Sequence, residues 1–302
     1  VELFAGGYRD RLGVVDPANP QGRFSRHFGM VRSSWEHAPG SVVEAVFARR
    51  DDTRLFDPIF NGPVAVREYQ YDSEVSHRLE SFAGRLKTVY GGSLRHTEIE
   101  SAGLFAGRPR QHNVIRRAFL SPTLKAGPAL SALAAVSLER SDTGGTEEGY
   151  TLAAVFTPAR RHAFRLRHAL APTIPTLYQK AADQRASATV RLVGNPGIRA
   201  QRLRSYEAGY QGAYQDGRLE VGGDVFYMQL DNLSQTVVQS YVFPQLTLSF
   251  DNGNKAVARG TELKAGYRWS TARSLRANYT YETVSDAKAQ TNVRKGTPAH
   301  TF

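Results

Sequence analysis

SYEAGYQGAY at residues 205–214, the turn Gln215-Asp216-Gly217, and LEVGGDVFY at residues 219–227 decide the fold, because apolar and polar side chains alternate through them at a period of two. Tyr206, Ala208, Tyr210, Gly212 and Tyr214 fall on one face, with Ser205, Glu207, Gly209 and Gln211 on the other. Past the turn, Leu219, Val221, Gly223, Val225 and Tyr227 continue an apolar file opposite Glu220, Gly222 and Asp224. Successive strand side chains point to opposite faces, so this is a hairpin with one apolar and one polar side.

The same pattern extends both ways. Leu263, Ala265, Tyr267 and Trp269 alternate with Glu262, Lys264, Gly266 and Arg268, and Leu275, Ala277, Tyr279 and Tyr281 with Arg276, Asn278, Thr280 and Glu282. Upstream, Phe164, Leu166 and Leu170 oppose Arg165 and Arg167; Leu130, Ala132, Ala134, Val136 and Leu138 share a face opposite Glu139; Val43, Ala45 and Phe47 oppose Glu44 and Ala48. Between Val64 and Tyr71 the apolar face changes parity, which points either to a bulge or to a segment that is not a regular strand. Helical periodicity is weak, with Ser187 to Val193 its best stretch.

Tight connections fall near Ala38-Pro39-Gly40, Ala83-Gly84-Arg85, Ala126-Gly127-Pro128, Pro158-Ala159-Arg160, Asp216-Gly217 and Thr271-Ala272-Arg273. Longer polar segments lie between them: Asp51–Pro63, Ala102–Gln111, Ser141–Gly149, Ala171–Gln201 and Asp231–Asn254. Short and long connections in alternation fit an antiparallel transmembrane β-barrel, with tight turns on one side of the membrane and long loops on the other. Charged ladders along one face of consecutive strands fit a hydrated lumen. About thirteen strands of ~9–15 residues are expected, long enough to cross a bilayer at a steep tilt.

The composition narrows the classes. The chain has 302 residues, 39 Lys+Arg against 28 Asp+Glu, a net charge of +11 and no Cys. No apolar run approaches the ~18–20 residues of a transmembrane helix; none is longer than Ala132 to Val136. A disulfide scaffold and a thiolate metal site are excluded. The 14 Tyr, 15 Phe and 2 Trp argue against disorder. Basic residues are interspersed with acidic ones rather than gathered, and no recognition helix is apparent, so no nucleic-acid partner is expected. Val1-Glu2-Leu3-Phe4 lacks the features of a signal peptide.

Four passages resemble one family. Phe164–Tyr178 contains a strand running into Ala171-Pro172-Thr173; Gly194-Asn195-Pro196-Gly197-Ile198 precedes Ser205-Tyr206-Glu207-Ala208-Gly209-Tyr210; Asn252-Gly253-Asn254-Lys255-Ala256 precedes Gly260-Thr261-Glu262-Leu263; and Leu275–Tyr281 precedes Pro298-Ala299-His300. In order and spacing these resemble the barrel of TonB-dependent outer-membrane receptors, over roughly residues 150–302. The resemblance implies an all-β, incomplete barrel, with this chain supplying about 13 of about 22 strands. It implies that residues 1–302 form a partial receptor barrel with no plug domain, signal peptide or closing strands in view. It further implies an outer-membrane location in a Gram-negative bacterium and uptake of a scarce nutrient, a ferric siderophore first, energised by TonB through the plug region. The alternatives are a passive porin or ligand-binding barrel, and a soluble β-rich interaction protein.

Chemistry-bearing residues are sparse. The eight His are scattered; His162 and His168 share a face but stand about 20 Å apart along a strand, too far to chelate one ion. No hydrolase, phosphate-loop or dinucleotide motif is present, so no enzyme activity, catalytic residue, cofactor or metal site is expected. The longest loop, Ala171–Gln201, carries Tyr178, Gln179, Lys180, Arg185 and Arg191, groups able to hydrogen-bond or ion-pair with a polar, anionic small molecule such as a ferric chelate. Tyr206, Tyr210, Tyr214, Tyr227, Tyr267, Trp269, Tyr279 and Tyr281 are expected to face lipid as interfacial aromatics, with outer-membrane lipid and lipopolysaccharide as surroundings.

Overall fold

A computed structural model describes residues 2–11, 23–56, 64–286 and 300–301, with side-chain surroundings at 25–53, 64–286 and 300. Thirteen long strands among these residues form one antiparallel meander, each paired with the next. They are β1 (Glu2–Arg11), β2 (Arg23–Ala38), β3 (Ser41–Phe56), β4 (Val64–Ser81), β5 (Leu86–Glu100), β6 (Arg110–Lys125), β7 (Leu130–Ser141), β8 (Gly145–Ala159) and β9 (His162–Thr173), then β12 (Gln201–Tyr214), β13 (Leu219–Val242), β14 (Gln245–Ser270) and β15 (Arg273–Asp286). The connection from β9 to β12 holds a short helix α1 (Leu177–Ala181) and two short strands, β10 (Asp183–Arg185) and β11 (Val190–Val193). A two-residue strand β16 (His300–Thr301) lies beside β15.

The register carries the alternation across the sheet. Phe156 stands opposite Phe164, Phe164 opposite Tyr210, Tyr210 opposite Gly223, Gly223 opposite Leu263 and Leu263 opposite Tyr279. One residue along, the row reads Val155, Arg165, Gly209, Asp224, Glu262 and Thr280. From β8 to β15 one face is therefore apolar and the other mainly polar. The apolar face is not packed against a second layer: Trp35 is 67% exposed, Leu166 63% and Val225 56%. The chain exposes 19468 Å², against about 12,600 Å² for a compact protein of its 33.3 kDa. A two-sheet sandwich would have buried these rows, so the soluble reading loses its physical basis.

The six tight turns are where the alternation puts them, and they share one end of the sheet. Two segments expected as long connections are strand. At Ser141–Gly149 only Asp142, Thr143 and Gly144 form the turn, held by N–H bonds from Thr143 and Gly144 to the Ser141 hydroxyl at 3.2 and 3.1 Å. At Asp231–Asn254, β13 and β14 run on as a paired ribbon to a tip at Phe243 and Pro244. Register shifts between Leu230 and Leu233, Leu233 and Gln235, and Val238 and Ser240 break the period-two signal there.

The bulge expected between Val64 and Tyr71 is absent, because β4 pairs one for one with β3 and β5. The parity changes for another reason. Val64 and Val66 belong to the polar face, but there they are covered by Leu104 and Phe105. The Ser187–Val193 stretch contains β11, not helix. Parts of the Asp51–Pro63 connection and the Pro298-Ala299 passage lie outside the described residues.

Candidate ligand site at the loop end

The connection 174–200 folds as a strap over the polar face, at the end opposite the tight turns. Its helix begins at a capping box: the Gln179 N–H donates to Thr176 Oγ1 at 3.2 Å, and the Thr176 N–H donates to Gln179 Oε1 at 2.9 Å. On one side the strap joins the 101–109 loop, with Ala106 N–H bonded to Asp183 O at 3.0 Å and Asp183 N–H to Leu104 O at 2.9 Å. On the other side β11 lies parallel to the outer part of β14, Val190 beside Leu246 and Leu192 beside Leu248. The strap therefore spans from the β4–β6 side to the β13–β14 ribbon.

Apolar anchors hold it. Val66, Leu104 and Phe105 form a buried cluster against which Val64, Ile99, Tyr178 and Ala181 pack, and Ile198 is fully buried further along. Gly194 lets the strap fold back on α1. A Cβ there would stand 2.5 Å from the Ala181 nitrogen and 2.6 Å from that of Ala182, so no other residue fits without moving the helix.

Between strap and strands lies a cavity of about 390 Å³, lined by Glu68, Arg95, Thr97 and Asn113 below and Ile174, Leu177 and Tyr178 above. Its floor belongs to ion-pair ladders. Arg26 grips Asp52 with two bonds of 2.8 and 2.9 Å, Arg50 lies 3.3 Å from Asp52 and donates to Glu68 at 2.9 Å, and Arg95 donates to Asp72 at 2.6 Å. These charges are paired with one another, although Arg50 Nε is buried without a hydrogen bond among the described residues, so the cavity offers a polar floor and an apolar roof rather than a free charge.

The five loop residues expected to meet ligand take different stations. Tyr178 lines the cavity, donates its hydroxyl to Gln184 Oε1, and meets Phe250 edge to face at 5.6 Å; burial pushes its phenol above the ordinary value. Gln179 also donates to Ser234 Oγ at 2.9 Å. Lys180 donates to the Pro196 carbonyl at 2.8 Å and lines a second cavity of about 390 Å³ with Glu147, Arg199 and Arg202; desolvation lowers its pKa. Arg185 and Arg191 are opposite partners in the β10–β11 hairpin, and Arg191 donates to Asp183 at 2.8 Å. Sequence reasoning missed Gln184, which is buried with its Nε2 amide unbonded among the described residues. It also missed Phe105, whose only trace in the sequence is the parity break at Val64–Val66.

All eight expected interfacial aromatics sit on the apolar face. Tyr206 lies between His168 and Tyr227, Tyr210 beside Phe164, and Tyr214 opposite Leu219, which in turn faces Tyr267. Trp269 stacks edge-on with Tyr267, Tyr279 stands opposite Leu263, and Tyr281 opposite Thr261. The histidines join them: His162 bonds Tyr210 at 2.8 Å, His77 bonds Tyr90 at 2.7 Å, and His168 lies 2.9 Å from Tyr150 while its Nδ1–H donates to Ser205 O at 3.0 Å. Among the described residues no three His, Asp or Glu side chains converge as a metal ion would require.

The comparisons with known proteins agree with this architecture. No curated protein matches the chain by sequence. Among solved structures, the siderophore receptor PirA from Pseudomonas aeruginosa superposes with a TM-score of 0.73 at 17% identity, over 87% of this chain and 48% of that one. A ferric enterobactin receptor (PfeA) mutant from the same organism gives 0.72 at 16% identity, over 86% and 43%. The FrpB iron transporter from Neisseria meningitidis gives 0.69 at 13%, over 88% and 45%. The chain thus spans about half the length of the structures it matches, and at these identities they establish the fold alone. The family model described as TonB dependent receptor-like, beta-barrel matches residues 4–302, so the chain belongs to the TonB-dependent receptor family as part of its β-barrel.

Proposed function

We propose that this chain is membrane-crossing wall and loop apparatus of an outer-membrane active transporter in a Gram-negative bacterium, taking up a scarce nutrient with energy delivered by TonB. The apolar face meets lipid, the ion-paired face meets the hydrated lumen, and the strap stands over the lumen mouth. The observation that carries this reading is the strap, because a loop anchored on both sides of the polar face presents its cavity to whatever enters from the loop end.

The ligand class best matched is a polar, anionic small molecule with apolar parts, a ferric siderophore first. The cavity's polar floor and apolar roof suit such a molecule, and the +11 net charge favours its approach. Tyr178, Gln179, Lys180, Arg185 and Arg191 are the proposed contacts, with no covalent chemistry. Partners are TonB, acting through the plug region, and the surrounding lipid and lipopolysaccharide.

The test is iron-limited growth on ferric siderophores supplied singly, in cells with and without TonB, alongside binding to the purified receptor. TonB-dependent growth on one chelate, weakened by Tyr178→Ala, is expected. Uptake that persists unchanged without TonB would instead establish a passive porin.

A further inference from the structure

Arg259 breaks the pattern of the apolar face. It stands in the file with Tyr227, its register partner, and its guanidinium has no ion pair or hydrogen bond among the described residues. Towards the loop end from it, the same face gathers Arg204, Lys255 and Asp231. Lys255 Nζ lies 3.3 Å from the Asp231 carboxylate and Arg204 Nη1 lies 3.9 Å from it; Gln229 also donates to that carboxylate, at 2.8 Å. Arg204 and Lys255 therefore share one carboxylate, and with the unpaired Arg259 the cluster carries an excess of two positive charges beside the Tyr206–Tyr227 row. Arg202, the next basic residue on β12, is neutralised by Glu147 at 2.8 Å.

From Arg259 an open apolar trough of about 1070 Å³ runs across the strands to β6. Ala132, Ala154 and Ala208 form its floor, and Leu124, Leu166 and Tyr206 rise beside it. Six strand spacings separate β14 from β6, about 29 Å at ~4.8 Å each. The trough also descends. Arg259 lies twelve positions from the turn residue Thr271, whereas Leu124 lies two from Ala126. A groove that starts at an uncompensated cationic cluster and drops through the apolar band has the form of an amphiphile with an anionic head and a hydrocarbon tail.

Resting on the membrane reading above, we infer that this face holds one acylated, phosphate-bearing lipid of the loop-side leaflet. Its phosphate sits at Arg204, Lys255 and Arg259 and one acyl chain lies in the Ala132–Ala154–Ala208 trough. Charge complementarity selects the phosphate, because a zwitterionic head brings its own cation to a site already in positive excess. The alanines select the chain, since larger side chains there would fill the groove.

The test uses the receptor purified in detergent, offered diphosphorylated lipid A or its dephosphorylated form, with bound lipid counted by native mass spectrometry. Retention of the phosphorylated form is expected to fall about fivefold in Arg259→Gln, by analogy with the ~1 kcal/mol per basic residue found at anionic lipid surfaces. It should fall at least as far in Ala208→Phe, and stay unchanged in Arg276→Gln on the polar face. Equal retention of the two lipids, or retention unaffected by both Arg259→Gln and Ala208→Phe, would overturn the lipid site. Heat-modifiable gel migration of the same samples reports barrel folding separately; a protein that fails to show it overturns the membrane reading together with this one.

Discussion

Single residues on the polar face are chosen for what must pass over them. Arg165 on β9 reaches Asp224 on β13, at 2.6 Å, across the intervening β12. The residue beneath that bridge is Gly209, where a Cβ would collide with the Asp224 carboxylate and come within 2.7 Å of Arg165 Nε. Glycine is present for clearance rather than for backbone freedom. Gly209→Val is expected to separate the pair while leaving the strands in register, costing under about 1 kcal/mol for a part-exposed bridge; a double-mutant cycle with Asp224→Asn should show that coupling disappear. A different residue-scale effect depends on pH. In the β7–β8 turn, the Arg116 guanidinium donates to Asp142 at 2.8 Å and holds its carboxyl below the ordinary 3.8. A depressed carboxyl stabilises the folded form above the unfolded pKa and loses that contribution as pH falls through the folded value. Protection of the 142–144 turn amides, taken relative to the intrinsic exchange rate at each pH, should therefore be steady above about pH 5 and decrease on acidification below about 4, and Arg116→Gln should remove the acid-dependent part.

Elements divide into those specified locally and those specified by distant partners. The strap belongs to the second kind: a five-residue helix and strands of three and four residues are too short to hold themselves. They persist because Phe105, on another loop, is buried beneath them. Phe105→Ala should cost the strap about 3 kcal/mol, seen as faster hydrogen exchange at residues 177–193 with β7 to β9 unchanged; unchanged exchange in the strap would place its anchorage elsewhere. This division also explains what the sequence revealed. β12, β14 and β15 each carry a face pattern of at least four clean alternations, so their existence, and the side each residue takes, could be read directly. The outer ribbon of β13–β14 could not, because its register shifts scramble parity where Asp231, Asn232 and Ser234 already resemble a loop. The loop was legible as the longest polar connection, but its fold depends on pairings such as Val190 with Leu246, 56 positions apart. Tyr178 was singled out for its hydroxyl. Its packing against the Phe105 cluster and Phe250 follows from residues that carry no local mark.

At the scale of the whole molecule, the two faces need different solvents. A sheet that leaves Trp35, Leu166, Val225 and Leu263 at least half exposed on one side while pairing Arg165 with Asp224 and Arg167 with Glu207 on the other is stable only where hydrocarbon covers the first and water reaches the second. Backbone groups of β2 to β9 and β12 to β14 need no separate provision, since each of these strands is bonded on both sides. The hydrophobic effect, which normally buries large side chains inside a protein, acts on the proposed reading between the protein and lipid, and the buried apolar cluster among the described residues, Val66 with Leu104 and Phe105, lies beneath the strap. Charge placed on the two faces should then have unequal consequences. Leu166→Arg, on the apolar face, is expected to destabilise the bilayer-inserted protein by about 2–4 kcal/mol. Thr280→Arg, on the polar face beside Glu262, should cost less than about 1 kcal/mol. Urea-dependent folding into phosphatidylcholine vesicles measures both. Because the two substitutions add the same side chain to strands of one sheet, the difference between them isolates the surrounding medium; equal penalties, or a larger one at Thr280, would mean that the apolar face does not meet hydrocarbon.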